Sequence, residues 1–143
     1  MSRYFIEVRY KGTASAGFQV QQNAVTIQEE VEKALAIFFR KEVGLTGSSR
    51  TDTGVHARKF FIHFDAEKAI TVEKDFIHHI NCLLPFEIAV SHLYPVSDDS
   101  HARFDATSRT YKYYIHQFKN PFLNDSSYFF PYQIDIDLMN QCA

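Results

Sequence analysis

Tyr4-Phe5-Ile6-Glu7-Val8-Arg9-Tyr10 is the stretch from which the fold is read. Tyr4, Ile6, Val8 and Tyr10 alternate with Phe5, Glu7 and Arg9, the pattern of a strand with one apolar face. Working outward, Lys11 to Ala24 carries Gly12, Gly17 and several polar side chains and is expected to be a loop. Thr26 followed by Glu29 is a capping box that opens a helix. Ile27, Val31, Ala34, Leu35 and Phe38 form its apolar face, and Gly44 is expected to end it. Leu45 begins a short strand or turn, and Gly47 to Val55 is a polar loop bounded by glycines. Phe60, Ile62 and Phe64 alternate with Phe61 and His63, which predicts a strand buried on both faces. Phe76, Ile77, Ile80, Leu83 and Leu84 mark a second helix, stopped before Pro85. Ile88 and Val90 run as a strand toward Pro95, and Ser97 to Ser100 form a polar turn. Tyr111, Tyr113 and Ile115 alternate with Lys112, Tyr114 and His116 in a further strand. This order predicts an α+β fold, an antiparallel sheet with helices packed on one face.

Composition narrows the class. A chain of 143 residues suits one domain, and 45% hydrophobic content with 14 Phe and 8 Tyr excludes a disordered chain. The net charge of -2 does not mark a nucleic-acid binder, so any positive surface must be local. Cys82 and Cys142 fit neither a disulfide framework nor a zinc pattern, and a reducing compartment follows. MSRYFIEV has no apolar run with a cleavage site, and no segment approaches bilayer length. A soluble cytoplasmic protein with no membrane partner is expected. His78 and His79 are adjacent on a predicted helix and point in different directions, and no H-x-x-x-H or C-x-x-C spacing exists. No metal site is expected.

The chemistry is concentrated in Gly47-Ser48-Ser49-Arg50-Thr51-Asp52-Thr53-Gly54-Val55-His56-Ala57, a loop between two apolar segments. It holds one base, one acid and several hydroxyls. One reading is an Asx-type turn in which Asp52 bonds the backbone near Gly54. The other is a carboxylate presented for chemistry. The spacing by itself leaves both open.

GSSRTDTGVHA is similar to the GRTDAGVHA signature of the A family of tRNA pseudouridine synthases. Three further segments match in order. Tyr10 to Gln22, YKGTASAGFQVQQ, resembles the family's YDGT-x-x-x-GWQ-x-Q run, with Phe18 where Trp is usual. Ile80 to Val90, INCLLPFEIAV, resembles N-x-x-LP-x-D-I-x-V, with Glu87 in place of Asp. Ser100 to Ile115, SHARFDATSRTYKYYI, resembles FHARF-x-A-x-x-R-x-Y-x-Y-x-I.

The resemblance implies a pseudouridine synthase fold, ferredoxin-like and RRM-like in its N-terminal half. It implies breaking the C1′–N1 bond of uridine, turning the uracil and joining C1′ to C5, with no cofactor because no atoms leave. Asp52 is then the catalytic carboxylate. Direct attack at C1′ and removal of the 2′ proton both stay open. Arg50 is a substrate-binding residue that fills the gap left by a flipped base, against the alternative of a solvated arginine or a partner of Asp52. Tyr111 stacks on the flipped uracil, against the alternative of a core tyrosine. Arg58, Lys59, Arg103, Arg109 and Lys112 form a weaker, basic rim for phosphates. The expected partner is tRNA, at uridines 38, 39 and 40 of the anticodon arm, and the expected assembly is a homodimer.

Residues 1–131 are read as the N-terminal domain bearing the catalytic loop, and 132–143 as the start of a truncated helix leading to a missing C-terminal domain. Asp137 is its expected N-cap. The fragment alone is accordingly expected to be inactive. The competing reading is a non-catalytic RRM-like RNA-binding module, since Arg58 to Phe64, RKFFIHF, faintly resembles the aromatic strand of that fold without its glycine. A small-molecule acid/base enzyme is a third reading, in which His56 is the open candidate.

Overall fold

A computed structural model describes residues 1–142. They form two compact units, one from Met1 to Thr107 and one beginning at Ser108. The first contains strand β1 (Ser2–Tyr10), helix α1 (Ile27–Phe39), β2 (Leu45–Gly47), β3 (Ala57–Ala66), α2 (Glu73–Leu83) and β4 (Ile88–Val96). The four strands make one sheet in the order β2-β3-β1-β4, with every neighbouring pair antiparallel. This is the split β-α-β arrangement of ferredoxin-like domains, an α+β fold.

Why these residues take these places follows from their alternation. On β1, Tyr4, Ile6, Val8 and Tyr10 are buried, and they meet Phe60, Ile62 and Phe64 of β3 on the same face. Both helices close over that face. Phe38 of α1 packs edge-on to Phe76 of α2 at 5.1 Å, and Phe39 and Phe76 each lie about 6 Å from Phe64. Burying aromatic side chains of this size is the dominant favourable term in such a core. The other face of β3 is not equally covered, because Phe61 is only half-buried. The strand expected to be buried on both faces is therefore fully covered on one, since both helices lie on the same side.

Helix α1 begins where the capping box places it. The Thr26 hydroxyl accepts from the Glu29 amide at 3.4 Å. The amides of Ile27 and Gln28 donate to the carbonyls of Gly17 and Phe18, so the preceding loop satisfies further helix donors. The end differs from expectation. α1 stops at Phe39, and Arg40 adopts the left-handed conformation at φ 54°, with the Lys41 amide donating to the Ala36 carbonyl. This left-handed cap satisfies the last carbonyls, and Gly44 lies outside it.

The second unit holds β5 (Ile115–His116), a short 3-10 turn at Pro121–Leu123, β6 (Tyr128–Phe129) and α3 (Ile136–Cys142). β5 and β6 pair in parallel. The strand expected from Tyr111 is thus confined to Ile115 and His116. Alternation selects a register only where one face is buried, and Tyr111 and Tyr113 are exposed. The cap of α3 is Asp135 and not Asp137: the Asp135 carboxylate accepts from the Leu138 amide at 2.9 Å. Asp137 falls inside the first turn.

One buried polar group joins sheet to loop. His63 on β3 is 7% exposed, and its Nδ1 accepts from the Ala102 amide at 3.0 Å. Burial, then the positive charge of Arg3 and the neighbouring His101, lower its pKa from 6.5. An acceptor nitrogen must be unprotonated, which agrees in sign. As pH falls below about 6.5 the unfolded chain binds a proton that the folded chain resists, so stability is present above that value and is lost on acidification. Urea midpoints measured between pH 8 and 5.5 should fall with acid. His63→Gln, which keeps an acceptor but cannot titrate, should flatten that slope.

Candidate active site

The acidic loop connects β2 to β3 and is pinned at both ends of its central tripeptide. The Thr51 carbonyl accepts from the Phe18 amide at 3.0 Å, and the Thr51 hydroxyl meets the Tyr10 phenol at 2.8 Å. Further on, His56 Nδ1 accepts from the Gly12 amide at 3.0 Å. That contact leaves Nε2 to carry the proton of the neutral ring. Two glycines make this approach possible. A Cβ at Gly12 would stand 2.2 Å from the Val55 carbonyl oxygen. One at Gly17 would stand 2.8 Å from the Thr51 carbonyl, on a backbone at φ 92° that disfavours side chains.

Asp52 sits between these anchors and is exposed. The turn closes through its main-chain carbonyl, which accepts from the Val55 amide at 3.2 Å, with Gly54 at φ 80°. An Asx turn would engage the carboxylate. Here no hydrogen bond or ion pair engages that carboxylate among the described residues. The backbone is held while the acidic group faces solvent.

Arg50 is also exposed and makes no ion pair with Asp52. It lines a cleft of about 170 Å³ with Arg103, Phe18, Gln19, Gln28 and Ser49. Two of the expected cations therefore share one depression beside the loop, although they are distant in sequence. Arg103 is brought there by the turn that follows β4. The His101 ring stacks on Phe104 with centroids 4.1 Å apart, and the His101 amide donates to the Asp105 carboxylate at 2.7 Å. Arg58 and Lys59 are exposed at the start of β3. Tyr111, Arg109 and Lys112 are exposed residues of the second unit. Tyr111 is 58% exposed, so it is not a core side chain.

Residues that position the loop were not named from the sequence. Tyr10, Gly12, Gly17 and Thr51 all lie inside the quoted segments, so their signal was position within a motif and not chemistry. Asn81 is similar: its amide group bonds both the amide and the carbonyl of Val90, each at 2.8 Å, and clamps the turn between α2 and β4. Among the described residues no three His, Cys, Asp or Glu side chains are grouped to hold a metal ion. Cys82 and Cys142 are free and exposed, and no helix is long and apolar enough to cross a membrane.

A ferredoxin-like domain that fixes an acidic loop beside a paired-arginine cleft can now be set against known proteins. No family model matches the chain. It is 45% identical over 143 residues to tRNA pseudouridine synthase A of Parabacteroides distasonis, covering 100% of this chain and 57% of that protein. The same protein of Bacteroides fragilis is 45% identical over 144 residues, again with 100% and 57% covered. That of Listeria monocytogenes is 42% identical over 142 residues, covering 97% of this chain and 57% of the relative. Over nearly its whole length the chain is thus similar to tRNA pseudouridine synthase A proteins. It spans 57% of the length of these relatives.

Gly12→Ala should separate the anchor from the sheet. The added Cβ cannot coexist with the Val55 carbonyl, so the loop must move while the core stays packed. Amide exchange at Phe18 and Val55 should quicken by at least tenfold with the β1 amides still protected. Unchanged exchange at both would show that the anchor is not what holds the loop.

Proposed function

We propose that this chain forms part of an enzyme that isomerises uridine to pseudouridine in tRNA, with Asp52 as its catalytic carboxylate. One observation carries this reading: a loop whose backbone is bonded on both sides of an exposed carboxylate that no neighbour among the described residues engages. A turn built only for structure would use that group. The family similarity supports the same assignment.

The reaction breaks the C1′–N1 bond and forms C1′–C5; C5 then loses its proton and N1 gains one, so the composition is unchanged. It needs an anionic oxygen near the ribose, whether Asp52 attacks C1′ or takes the 2′ proton. Uridine in a helical arm must leave the stack to reach it. Arg50, beside Arg103 in the cleft, is assigned to fill the vacated space and hold phosphate. Tyr111 is assigned to stack on the extruded uracil, and Arg58, Lys59, Arg109 and Lys112 to contact the RNA backbone. The substrate is assigned to uridines 38, 39 and 40 of the anticodon arm, in the cytoplasm, with a homodimer as the working assembly. These finer assignments follow the resemblance of the quoted motifs.

Asp52→Asn keeps the shape of the side chain and removes its charge. Carbodiimide mapping of pseudouridine in treated tRNA should show product with the parent extended to the length of the relatives and none with its variant, at equal tRNA affinity. The assay is run on the 143-residue chain and on a version extended to the length of the relatives, because the chain spans only part of that length. Wild-type turnover in the extended Asp52→Asn protein would overturn the assignment. Retained RNA binding with no product from either parent form would favour the RNA-binding module instead.

Tyr111→Phe keeps the ring and removes the phenol, whereas Tyr111→Leu removes both. The Phe form should bind tRNA as the parent does and turn over at least tenfold more slowly. The Leu form should also bind about tenfold more weakly, in keeping with roughly 1–3 kcal/mol for a base–aromatic stack. Full activity in the Phe form would remove the hydroxyl from the chemistry.

A further inference from the structure

The sheet has a second face, on which no helix packs, and the proposed function does not use most of it. On β1 it presents Phe5, Glu7 and Arg9, because the alternate residues are the buried ones. Register places His63 and Tyr94 beside Phe5, and Phe61 and His92 beside Glu7. The rings of Phe61 on β3 and Tyr94 on β4 come within 6.3 Å of each other across β1. His92 stacks on Tyr94 at 5.8 Å with planes 18° apart. Tyr94 is 40% exposed, and Phe5 and Phe61 are half-buried. The result is an aromatic strip over the two central strands, open to solvent.

The charges on this face are arranged around Glu7. Its carboxylate is buried, receives the Ser91 hydroxyl at 3.1 Å, and lies 3.4 Å from Arg9 and 3.7 Å from Lys59. Burial pushes its pKa up, but Ser91, Arg9, Lys59 and His92 together bring it below the ordinary carboxylate value. One ionised, buried acid therefore holds two cations whose side chains remain 57% and 64% exposed. The Lys59 ammonium also lies 5.4 Å from the centre of the Phe61 ring. Counting Glu7, Arg9 and Lys59, the patch carries a local net charge of about +1.

We infer that this face is a stacking platform for single-stranded RNA, in contact with nucleotides other than the one isomerised. Bases stack on Phe5, Phe61 and Tyr94, and phosphates lie along Arg9 and Lys59. Three physical points favour RNA over a protein partner. Open aromatic faces beside exposed cations match both halves of a nucleotide's chemistry, a π-face and an anion. Protein interfaces deplete their centres of Lys and Glu, whereas here a Glu–Lys–Arg cluster stands at the centre. Four-stranded sheets that bind RNA in this way carry their stacking aromatics on the sheet face, and here Phe5 and Phe61 stand on the two central strands. The inference rests on the RNA-modifying reading above for the identity of its ligand class.

The test is fluorescence anisotropy with a labelled single-stranded RNA of roughly seven nucleotides, and with tRNA, at several salt concentrations. Phe61→Leu with Tyr94→Leu keeps apolar bulk, so the fold should hold, which the thermal midpoint checks. This pair should weaken binding tenfold or more at fixed salt and leave the salt slope unchanged. Arg9→Gln with Lys59→Gln should instead lower the slope of log affinity against log salt by about 1–2. Parental affinity for both RNAs in both folded variants would overturn the inference. So would a changed oligomeric state with RNA affinity intact, which would assign the face to a protein contact. Asp52→Asn separates this from the enzyme reading, since it should bind the short RNA as the parent does. Loss of RNA affinity in the platform variants, with no pseudouridine made by the parent extended to the length of the relatives, would support the platform and sink the activity.

Discussion

Thr51 is bonded on two sides, and the geometry of the acidic loop depends on it. Its carbonyl accepts from the Phe18 amide, and its hydroxyl shares a hydrogen bond with the Tyr10 phenol. The backbone that leads into Asp52 is thereby held, while its carboxylate faces solvent. Buried and half-buried polar groups are expensive to leave unpaired, so each of these bonds resists local opening. The same segment also organises the helix: Gly17 and Phe18, which face Thr51, offer their carbonyls to the first amides of α1. Moving the loop would therefore uncap the helix. The backbone that carries the Asp52 carboxylate therefore has a defined place, which the catalytic role proposed above would require.

The four segments that resemble the family converge for related reasons. Lys11 donates to the Glu87 carbonyl at 2.9 Å, which ties the first segment to the third. Asn81 clamps Val90 within the third. His63 accepts from Ala102, and Arg3 donates to the Ser100 carbonyl at 3.0 Å while forming a two-pronged pair with Asp65. The turn carrying Arg103 is thereby fastened to the sheet from two strands. This bracing gives Lys11, Asn81, Glu87 and Ala102 of the matched segments a structural role.

Regular alternation was legible wherever a face is buried. Tyr4 to Tyr10 and Phe60 to Phe64 read correctly as strands because burial enforces a period of two. Thr26 read correctly because its cap is local, three residues from its partner. The failures share the opposite property. Tyr111 to Ile115 alternates with no face to bury, so the pattern carries no register. The end of α1 depends on Arg40 taking a left-handed backbone, which a long side chain does not announce. Asp135 and Asp137 are equally good caps by type, and only the observed start of α3 separates them. In the site, Asp52 and Arg50 stood out through their motif. The bracing by His63 and His56 joins residues about forty positions apart, a tertiary fact with no local signature.

A net charge of -2 looks unfavourable for the RNA contact proposed above, yet the charge is unevenly distributed. Phosphate recognition depends on charge within about a Debye length, roughly 8–10 Å, and not on the whole-molecule sum. Several acids of the first unit are already engaged. Asp65 pairs with Arg3, Glu29 and Glu30 pair with Lys33 on the exposed side of α1, and Glu67 pairs with Lys41. Those pairs cancel locally and lie away from the acidic loop in sequence. Arg50 and Arg103 line their cleft with no acidic residue among its lining. Glu7 is set beneath the open face of the sheet, and it holds Arg9 and Lys59 there. A surface that is acidic on average can therefore attract a polyanion at two places, provided its carboxylates are paired elsewhere or buried beneath the cations they orient.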